Sequence, residues 1–379
     1  MVEYNSIVIH YGEIALKRGR RPYYEKLLKK NLEEKLGRKL RRLRGRLILK
    51  LEGDDWRILS EKIRKTFGVV WYAPAVYVKK DVEELERKII EALREDNVRS
   101  FKVSVKRSDK TFPLTSLELA EKLGRSISSN LNLRVDLENP EKIVWVEVTE
   151  EGFYFLFKKI EGLGGLPTGS SGRVLSLLSG GIDSPVASWL MMKRGCIVDL
   201  LHIHSSLTHD EVLESKIGKI ARVLSEYGLG LTLHLASFRP FFLKSFELPP
   251  KMILVVFRAY MARLADRMAG KKGYLGIVTG DSLSQVASQT LENLYAVSMF
   301  SQTPIYRPLI GMDKQEIIDL AKKIGTYEYS IQEYRDCCAI LARHPETRAD
   351  PRELREIWEK NNLEEVVEET LKDVAEYNF

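Results

Sequence analysis

The stretch of this chain best suited to bind phosphate is the turn at residues 179–184, which reads SGGIDS. The apolar run Val174–Leu178 before it predicts a buried parallel strand, and Asp183 is expected to begin the helix that follows. Pro185 is predicted at the first helical position, where an N–H would have no intrahelical partner. Because backbone N–H groups and the positive end of the helix dipole converge on such a turn, it predicts an anion site.

A second chemically capable feature is the adjacent pair Cys337 and Cys338. The chain has 3 cysteines and no C-x-x-C pair, which argues against a disulfide framework and against structural zinc. A buried cysteine commonly acts as a small apolar side chain. The position of the pair between Asp336 and the basic residues Arg343 and His344 favours a reactive thiol instead.

Two further predicted strands end in polar or small residues, at 202–204 (HIH) and at 279–282 (TGDS). They belong to an alternation of strands and helices that predicts a doubly wound parallel sheet. The predicted strands are Ile197–Ile203, Leu231–Leu235 and Leu275–Thr279, and the predicted helices are Asp210–Tyr227, Pro250–Ala269, Ser284–Met299 and Asp313–Ile324. Ligands of such sheets bind beyond the carboxyl ends of the strands, so these strand ends are expected to form one pocket.

The first 78 residues predict a β-α-β-β-α-β order, which is the ferredoxin-like plan. The predicted strands include Ser6–His10, Arg46–Leu51 and Val69–Val78, and the predicted helices are Pro22–Leu36 and Trp56–Thr66. Pro74 interrupts the last of these strands and predicts that it lies at a sheet edge, because proline has no N–H for a second partner.

Residues 82–158 predict a second α+β arrangement. Its predicted helices are Val82–Arg94 and Ser116–Leu131, with Ser116 as N-cap, and its predicted strands are Phe101–Lys106, Ile143–Val148 and Phe153–Lys158. The glycine-dense stretch Gly162–Gly172 after them predicts a linker. We therefore predict three domains, at residues 1–60, 61–165 and 166–379.

Charge is distributed unevenly along the chain, whose formal net charge is +7. Residues 1–60 contain 16 lysines and arginines against 8 aspartates and glutamates, and the remainder contains 44 against 45. This asymmetry indicates either a polyanionic partner or a heavily charged solvated surface of the kind found in heat-adapted proteins. No signal-peptide pattern and no apolar run of membrane-spanning length occur, so a cytoplasmic location without membrane contact is predicted.

The SGGIDS turn matches neither the G-x-x-x-x-G-K-[ST] nor the G-x-G-x-x-G pattern. It resembles the S-G-G-x-D-S pyrophosphate loop (PP-loop) of ATP-α-hydrolases, enzymes that adenylate a carbonyl oxygen and release pyrophosphate. An ordinary strand–helix turn without a ligand is the alternative. Six matching positions in a strand–turn–helix context favour the PP-loop.

Other motifs extend the resemblance over most of the chain. Residues 11–17 (YGEIALK), with the basic helix after them, resemble the N-terminal ferredoxin-like domain of tRNA 4-thiouridine synthetases, and residues 60–160 resemble a THUMP domain, an RNA-binding module. Residues 278–294 (VTGDSLSQVASQTLENL), 305–318 (IYRPLIGMDKQEII) and 336–345 (DCCAILARHP) resemble further signatures of that family. The resemblance implies ATP-dependent thiolation of the uridine at tRNA position eight through an adenylated uridine. In bacteria it also implies sulfur supply for the thiamine thiazole.

The family resemblance assigns nucleotide-binding roles to individual residues. It implies that Leu177, Leu178, His202 and Ile203 line the adenosine of ATP, that Ser179, Gly180, Gly181, Asp183 and Ser184 hold pyrophosphate and help to orient Mg²⁺, and that Arg258, Gly280 and Gln289 complete the site. Lys314 would offset charge that develops on the phosphates. Without the motif, His202 would be interpreted as a buried structural histidine and Arg258 as a solvated helix residue.

The resemblance also implies a reactive thiol near the activated uridine, and Cys338 matches that position best by its spacing to Pro345, with Cys337 second. It implies RNA contacts by basic residues of the N-terminal half, namely Lys17, Arg18, Arg41, Arg42, Lys102, Lys106, Arg107 and Lys110. No protein-held metal site is predicted beyond the Mg²⁺ that accompanies ATP.

Many bacterial members of the family continue into a rhodanese-like domain whose loop cysteine carries a persulfide. This sequence stops at Phe379 without one, so we expect a separate sulfur donor, either a persulfide carrier protein or sulfide. The oligomeric state stays open between a monomer and a homodimer. Two alternative functions stay open as well: an ATP pyrophosphatase for a small substrate, and an RNA-binding module with a vestigial nucleotide site.

Overall fold

The computed structural model describes residues 2–94, 96–334, 336–341 and 346–379. Arg343, His344 and Pro345, on which part of the cysteine prediction depends, lie outside the described residues. The chain divides into two compact units, Met1–Pro167 and Thr168–Phe379. The division falls inside the glycine-dense stretch, and the finer division into three domains stays a prediction.

The N-terminal unit is built on one nine-stranded sheet with the order β2-β3-β1-β4-β8-β7-β5-β6, in which β9 also pairs with β4. Its strands are β1 Ser6–Tyr11, β2 Leu40–Leu43, β3 Arg46–Lys50, β4 Val69–Val78, β5 Ser100–Arg107, β6 Arg134–Val135, β7 Lys142–Val148, β8 Phe153–Leu156 and β9 Ile160–Glu161. Its helices are α1 Arg21–Leu36, α2 Trp56–Arg64, α3 Val82–Arg94 and α4 Ser116–Leu131, with 3₁₀ turns at Glu13–Leu16 and Arg18–Arg20.

The prediction that β4 is an edge strand is wrong, because β4 joins the two halves of this sheet. Its residues 69–75 pair with β1, and its last three residues pair with β8. Pro74 lies opposite Ile7 of β1, between the residues that pair with β9 and those that pair with β8. On the side of β4 away from β1, neither β9 nor β8 pairs with Pro74, so neither strand needs an N–H from it. This gap between two partner strands accommodates the proline in a central strand.

The C-terminal unit contains a six-stranded sheet with the order β14-β13-β10-β11-β12-β15. Its strands are β10 Arg173–Leu177, β11 Ile197–His204, β12 Thr232–Ser237, β13 Ile277–Val278, β14 Ile305–Tyr306 and β15 Ala375–Asn378. The first five are parallel, as predicted, and β15 adds an antiparallel edge strand that was not predicted.

Eleven helices of this unit lie within the described residues. They are α5 Asp183–Lys193, α6 His209–Glu214, α7 Lys216–Ser225, α8 Arg239–Ser245, α9 Ile253–Lys272, α10 Leu291–Ser298, α11 Lys314–Ile324, α12 Tyr327–Ser330, α13 Cys337–Leu341, α14 Pro351–Lys360 and α15 Leu363–Lys372. Helix α9 is the centre of the core, with Val256, Leu264 and Ala265 fully buried. No helix in the described part of the chain combines the length and apolarity needed to cross a bilayer.

Two predicted helices are wrong in extent. The segment predicted as one helix over Asp210–Tyr227 forms α6 and α7, because Ser215 is extended (ψ −177°) and its side chain caps α7. Gly218 permits this break, since a Cβ there would lie 1.9 Å from the carbonyl oxygen of Leu213. The segment predicted as a helix over Ser284–Met299 is helical only in α10, because Thr290 caps that helix and Ser284 has a φ of +60°.

Two helix starts also differ from the prediction. Thr115, and not Ser116, is the N-cap of α4, and it forms a reciprocal capping box with Glu118. Helix α5 begins at Asp183, so Pro185 is its third residue and not its first. The difference is harmless, because the first four N–H groups of a helix have no intrahelical acceptor.

Candidate active site

The SGGIDS turn links the carboxyl end of β10 to the amino end of α5, as predicted. The Ser184 hydroxyl accepts a hydrogen bond from the Ser179 backbone N–H at 2.9 Å and lies 3.1 Å from the Ser179 hydroxyl. The Gly181 N–H donates to the Ser179 hydroxyl at 3.3 Å. The two serines thus hold the turn in a shape that leaves the amino end of α5 open to an anion.

Asp183 is the charged group at the start of α5, and two side chains hold its carboxylate. Lys314 Nζ donates to Oδ1 at 2.7 Å, and Gln285 Nε2 donates to Oδ2 at 3.2 Å. Both partners are more than 100 residues away in the chain. The structure therefore brings Lys314 to the PP-loop, as the motif comparison predicted, and adds Gln285, which was not predicted.

A cavity of about 440 Å³ opens at the carboxyl edge of the sheet beside this turn. The predicted residues that line it are Leu177, Leu178, Ser179, Asp183, Ser184, His202, Ile203, Arg258, Gly280, Gln289, Cys337 and Cys338. Gly180, Gly181 and Lys314 do not line it. Apolar side chains of α9, β13 and β14 also line it, among them Phe257, Met261 and Ile305.

Asp281 is a buried carboxylate in the cavity wall, and no role was predicted for it. It accepts hydrogen bonds from Arg258 Nη2, from Thr279 Oγ1 at 2.7 Å and from Arg307 Nε at 3.3 Å. Burial disfavours its charge, but Arg258, the Thr279 hydroxyl and Arg307 outweigh that effect and lower its pKa. Asp281 is therefore ionised and fixes two arginines in the wall. Its place in the TGDS motif was the available signal.

Gln289 contributes a polar side chain to the cavity, whereas Gly280 contributes backbone. The Gln289 amide nitrogen is 3.4 Å from Asp281 Oδ1, and its Oε1 is buried with no hydrogen-bond partner among the described residues. A polar atom left in that state fits a donor supplied by a ligand. Gly280 instead meets backbone, because a Cβ there would lie 2.7 Å from the Ser184 nitrogen. The close approach of this backbone to the start of α5 explains why the residue is glycine.

His202 connects the PP-loop to the segment before the cysteines. Its Nδ1 lies 2.8 Å from the Leu178 carbonyl oxygen, and its Nε2 lies 2.8 Å from the Tyr334 hydroxyl. Burial lowers the pKa of His202 to about 4, so the ring is neutral near pH 7. Since a carbonyl oxygen only accepts, Nδ1 carries the proton and Nε2 accepts from Tyr334.

The two cysteines differ in exposure. Cys337 is buried and its thiol lies 3.5 Å from the Ile203 carbonyl oxygen, whereas Cys338 is partly exposed in the cavity wall. Burial, followed by the charge of Asp336, raises the pKa of Cys337 strongly and that of Cys338 to about 12. Both groups are therefore thiols near neutral pH, and the reactive role expected from the sequence stays a prediction.

No role was predicted for Lys216, because it belongs to none of the sequence motifs. It is the first residue of α7 and is 8% exposed. Its Nζ donates to the carbonyl oxygens of Ser330 at 2.9 Å and Gln332 at 2.7 Å, and its stem lies against Gly180. Burial lowers its pKa from the usual value. Only the tertiary contacts identify it.

The predicted RNA-binding residues of the N-terminal unit are mostly on its surface. Arg18, Arg41, Arg42, Lys106 and Lys110 are exposed, and Lys17 and Lys102 are partly exposed. Several already have partners within the unit: Lys17 pairs with Glu13, Arg41 with Glu151, Arg42 with Glu25, and Lys102 donates to the Leu137 carbonyl. Arg107 Nη1 donates to the backbone carbonyls of Phe112 and Leu114, so it holds its own loop in place. An RNA contact of Arg107 stays a prediction.

The parallel sheet, the SGGIDS turn and the cavity define the C-terminal unit as a PP-loop nucleotide-binding domain. Three family models match the chain. The thiamine biosynthesis protein (ThiI) model matches residues 169–363, the ThiI ferredoxin-like domain matches residues 6–73, and the THUMP domain matches residues 79–156.

Full-length relatives agree with these models. Proteins named probable tRNA sulfurtransferase from Caldanaerobacter subterraneus subsp. tengcongensis and Thermoanaerobacter pseudethanolicus are 38% and 39% identical over 377 residues, which cover 98% of this chain and 99% of each relative. A crystal structure of a 4-thiouridine synthetase–RNA complex with bound ATP has a TM-score of 0.90 at 35% identity and covers 100% of both chains. The chain therefore belongs to the ThiI family and is a sulfurtransferase enzyme, which confirms the resemblance and the fold class.

Proposed function

We propose that this chain uses ATP to activate the C4 oxygen of the uridine at position eight of tRNA and replaces that oxygen with sulfur, giving 4-thiouridine. The observation that carries the proposal is a single cavity lined by the PP-loop, by Arg258 and by Cys338. A nucleotide-activating loop and a thiol are the two groups that such a substitution needs. The names of the relatives, and the ATP and RNA in the similar crystal structure, support these substrates.

ATP would bind with its phosphates at the PP-loop and its adenosine in the cavity. The apolar side chains of Leu177, Leu178 and Ile203 provide a wall for the base. The Gln289 Oε1 atom offers an acceptor to an amino or hydroxyl group of the nucleotide. The Gly181 N–H and the amino end of α5 would meet the phosphates, where a helix dipole stabilises negative charge.

Asp183 and Lys314 would act on the phosphates. Mg²⁺ in nucleotide sites is commonly held by one or two carboxylates together with phosphate oxygens, and the Asp183 carboxylate, 22% exposed beside the PP-loop, fits that donor set. When bound, the ion would neutralise phosphate charge. Lys314, whose side chain is 43% exposed, would move between Asp183 and the charge that develops on the leaving pyrophosphate.

In the proposed reaction the uridine O4 attacks the α-phosphorus and pyrophosphate leaves, which gives an adenylated uridine. With sulfide as the donor, HS− would attack C4, and O4 would leave as part of AMP. With a carrier persulfide as the donor, its outer sulfur would attack C4 while AMP leaves, and a second thiol would then cleave the S–S bond, which releases 4-thiouridine and leaves a disulfide between that thiol and the carrier. Cys338 is the better-placed thiol, because Cys337 is 4% exposed and directed at the Ile203 carbonyl. A separate persulfide carrier or sulfide as the donor, and a role in thiamine synthesis, stay predictions.

The basic N-terminal unit would supply contacts to tRNA phosphates. Arg18 and Lys110 are exposed, and the charges of Arg41 and Arg42 are exposed despite their ion pairs. The Arg41–Glu151 pair is exposed on both sides, and such pairs contribute about 0–1 kcal/mol, so a phosphate can displace Glu151 at small cost. Such contacts give affinity without reading sequence.

The test is Asp183→Ala, measured by pyrophosphate release with and without unmodified tRNA. We expect tRNA-dependent release to fall on the order of a hundredfold or more, while tRNA affinity is unchanged, because the carboxylate acts only at the phosphates. Asp319→Ala on the exposed surface of α11 is the matched control.

Three outcomes would contradict the proposal in different ways. Pyrophosphate release that does not depend on tRNA favours a small-molecule substrate. No release by the wild-type chain in the presence of tRNA favours an RNA-binding module with a vestigial site. Normal release by Asp183→Ala would remove the PP-loop from the reaction.

A further inference from the structure

Residues 330–334, which precede the two cysteines, are connected to the PP-loop by two sets of contacts. The first set is made by Lys216, whose buried ammonium group donates to the Ser330 and Gln332 carbonyl oxygens at 2.9 and 2.7 Å. Charge-assisted hydrogen bonds of this kind are about twice as strong as neutral ones. Helix α7 therefore holds residues 330–332 in one position.

The stem of the same lysine packs on the PP-loop. A Cβ added to Gly180 would lie 2.6 Å from Lys216 Cε and 3.3 Å from Tyr334 Cδ1. Gly180 is thus covered by these two side chains with no space left between. A displacement of Gly180 would therefore press on Lys216 and Tyr334, because close-packed groups absorb little movement.

The second set is the chain of hydrogen bonds through His202. The Leu178 carbonyl, immediately before the PP-loop, accepts from Nδ1, and the Tyr334 hydroxyl donates to Nε2, each at 2.8 Å. Tyr334 precedes Cys338 by four residues, and Asp336, between them, accepts the Cys338 N–H at 2.8 Å. The position of the thiol is therefore linked to the loop.

We propose that Lys216 and Tyr334 are positioning residues that couple occupation of the PP-loop to the placement of Cys338. Neither side chain acts on ATP or uridine. Because they contact both the PP-loop and the segment before Cys338, nucleotide binding to the loop would fix the position of the Cys338 thiol in the cavity. This inference rests on the proposed function, in which both groups act on the same uridine.

The experiment measures alkylation of each cysteine by iodoacetamide, with mass spectrometry, with and without inorganic pyrophosphate. Pyrophosphate is the probe because it is a ligand for the loop alone. In the wild-type chain we expect pyrophosphate to change the Cys338 alkylation rate about two- to thirtyfold, the range of coupling carried by such networks. In Lys216→Met and in Tyr334→Phe we expect that response to disappear.

Matched controls are Lys219→Met on the same helix and Tyr227→Phe, which removes a hydroxyl bonded to the Ile324 carbonyl. Both should keep the wild-type response. Cys196, buried before β11, reports unfolding, because a variant that is merely destabilised would alkylate Cys196 faster as well. The test therefore separates coupling from general loss of structure.

Three results would overturn the inference. They are a Cys338 rate that does not change in the wild-type chain although calorimetry shows pyrophosphate binding, an unchanged response in Lys216→Met together with Tyr334→Phe, and a response that Lys219→Met or Tyr227→Phe also abolishes. Failure of the proposed function is distinguished from these results, because it would show in tRNA-dependent pyrophosphate release and not in alkylation.

Discussion

The role of Gly280 can be tested by the space around it. The ideal Cβ of an alanine at this position would lie 2.7 Å from the Ser184 nitrogen and 2.9 Å from the Asp183 carbonyl carbon. Ordinary van der Waals contact begins at 3.4 Å, so the two backbones must separate by roughly 0.7 Å. The obstacle is backbone at the start of α5, which cannot rotate away as a side chain can.

Gly280→Ala is therefore expected to affect both stability and activity. Overpacking of this kind costs about 1–3 kcal/mol of unfolding free energy. A displacement near 1 Å at a reacting centre can lower the rate by about a hundredfold, so we expect kcat/KM for tRNA-dependent pyrophosphate release to fall about ten- to a hundredfold. Urea denaturation and a pyrophosphate-release assay measure the two effects.

Gly270→Ala is the matched control. Gly270 lies near the end of α9 and is exposed, and a Cβ added there would meet no heavy atom within 4 Å outside its own helix. Alanine there should raise stability by about 0.4–1 kcal/mol and leave activity unchanged. Wild-type activity and stability in Gly280→Ala would refute the reasoning, and glycine at this position would then need another explanation.

Three other perturbations have defined outcomes. Asp281→Asn should lower the free energy of unfolding by about 3–5 kcal/mol in urea denaturation, because Arg258 and Arg307 lose their buried counter-charge; a neutral effect would contradict this. Burial lowers the pKa of His202 from 6.5 to about 4, so the unfolded chain takes up the proton first as the pH falls. The free energy of unfolding should therefore fall by about 3 kcal/mol between pH 6.5 and 4, and His202→Asn should reduce that pH dependence. Cys338→Ser should retain pyrophosphate release but form no 4-thiouridine, measured by its near-ultraviolet absorbance, and thiolation equal to that of the wild-type chain would contradict that role.

Local sequence was sufficient for the elements whose signals are local. The strand–turn–helix at 174–193 was predicted because apolar runs, glycines and helix-start residues act within a few positions of one another. Helix α3 has the predicted bounds, Val82–Arg94, because its apolar spacing is regular. The convergence of three strand ends on one cavity followed from topology alone, since parallel strands share their carboxyl edge.

Distant contacts decided the elements that were predicted wrongly. Pro74 indicated an edge strand, yet β4 is central, because the gap between two partner strands accommodates the proline. Residues 284–290 were predicted to be helical but form a loop, and within it Gln289 and Gln285 contact Asp281 and Asp183. Such contacts stabilise a local conformation that propensity alone would not select.

The sequence by itself determined the chemical inventory of this protein: a phosphate-binding turn, a pair of cysteines and a basic N-terminal half. Only the tertiary structure decided which groups are charged and where they act. Lys216 meets Ser330 across 114 residues of chain, and burial keeps the thiol of Cys338 protonated. Motifs record residue types at short spacing, whereas hydrogen-bond partners, burial and pKa depend on residues that only folding brings together.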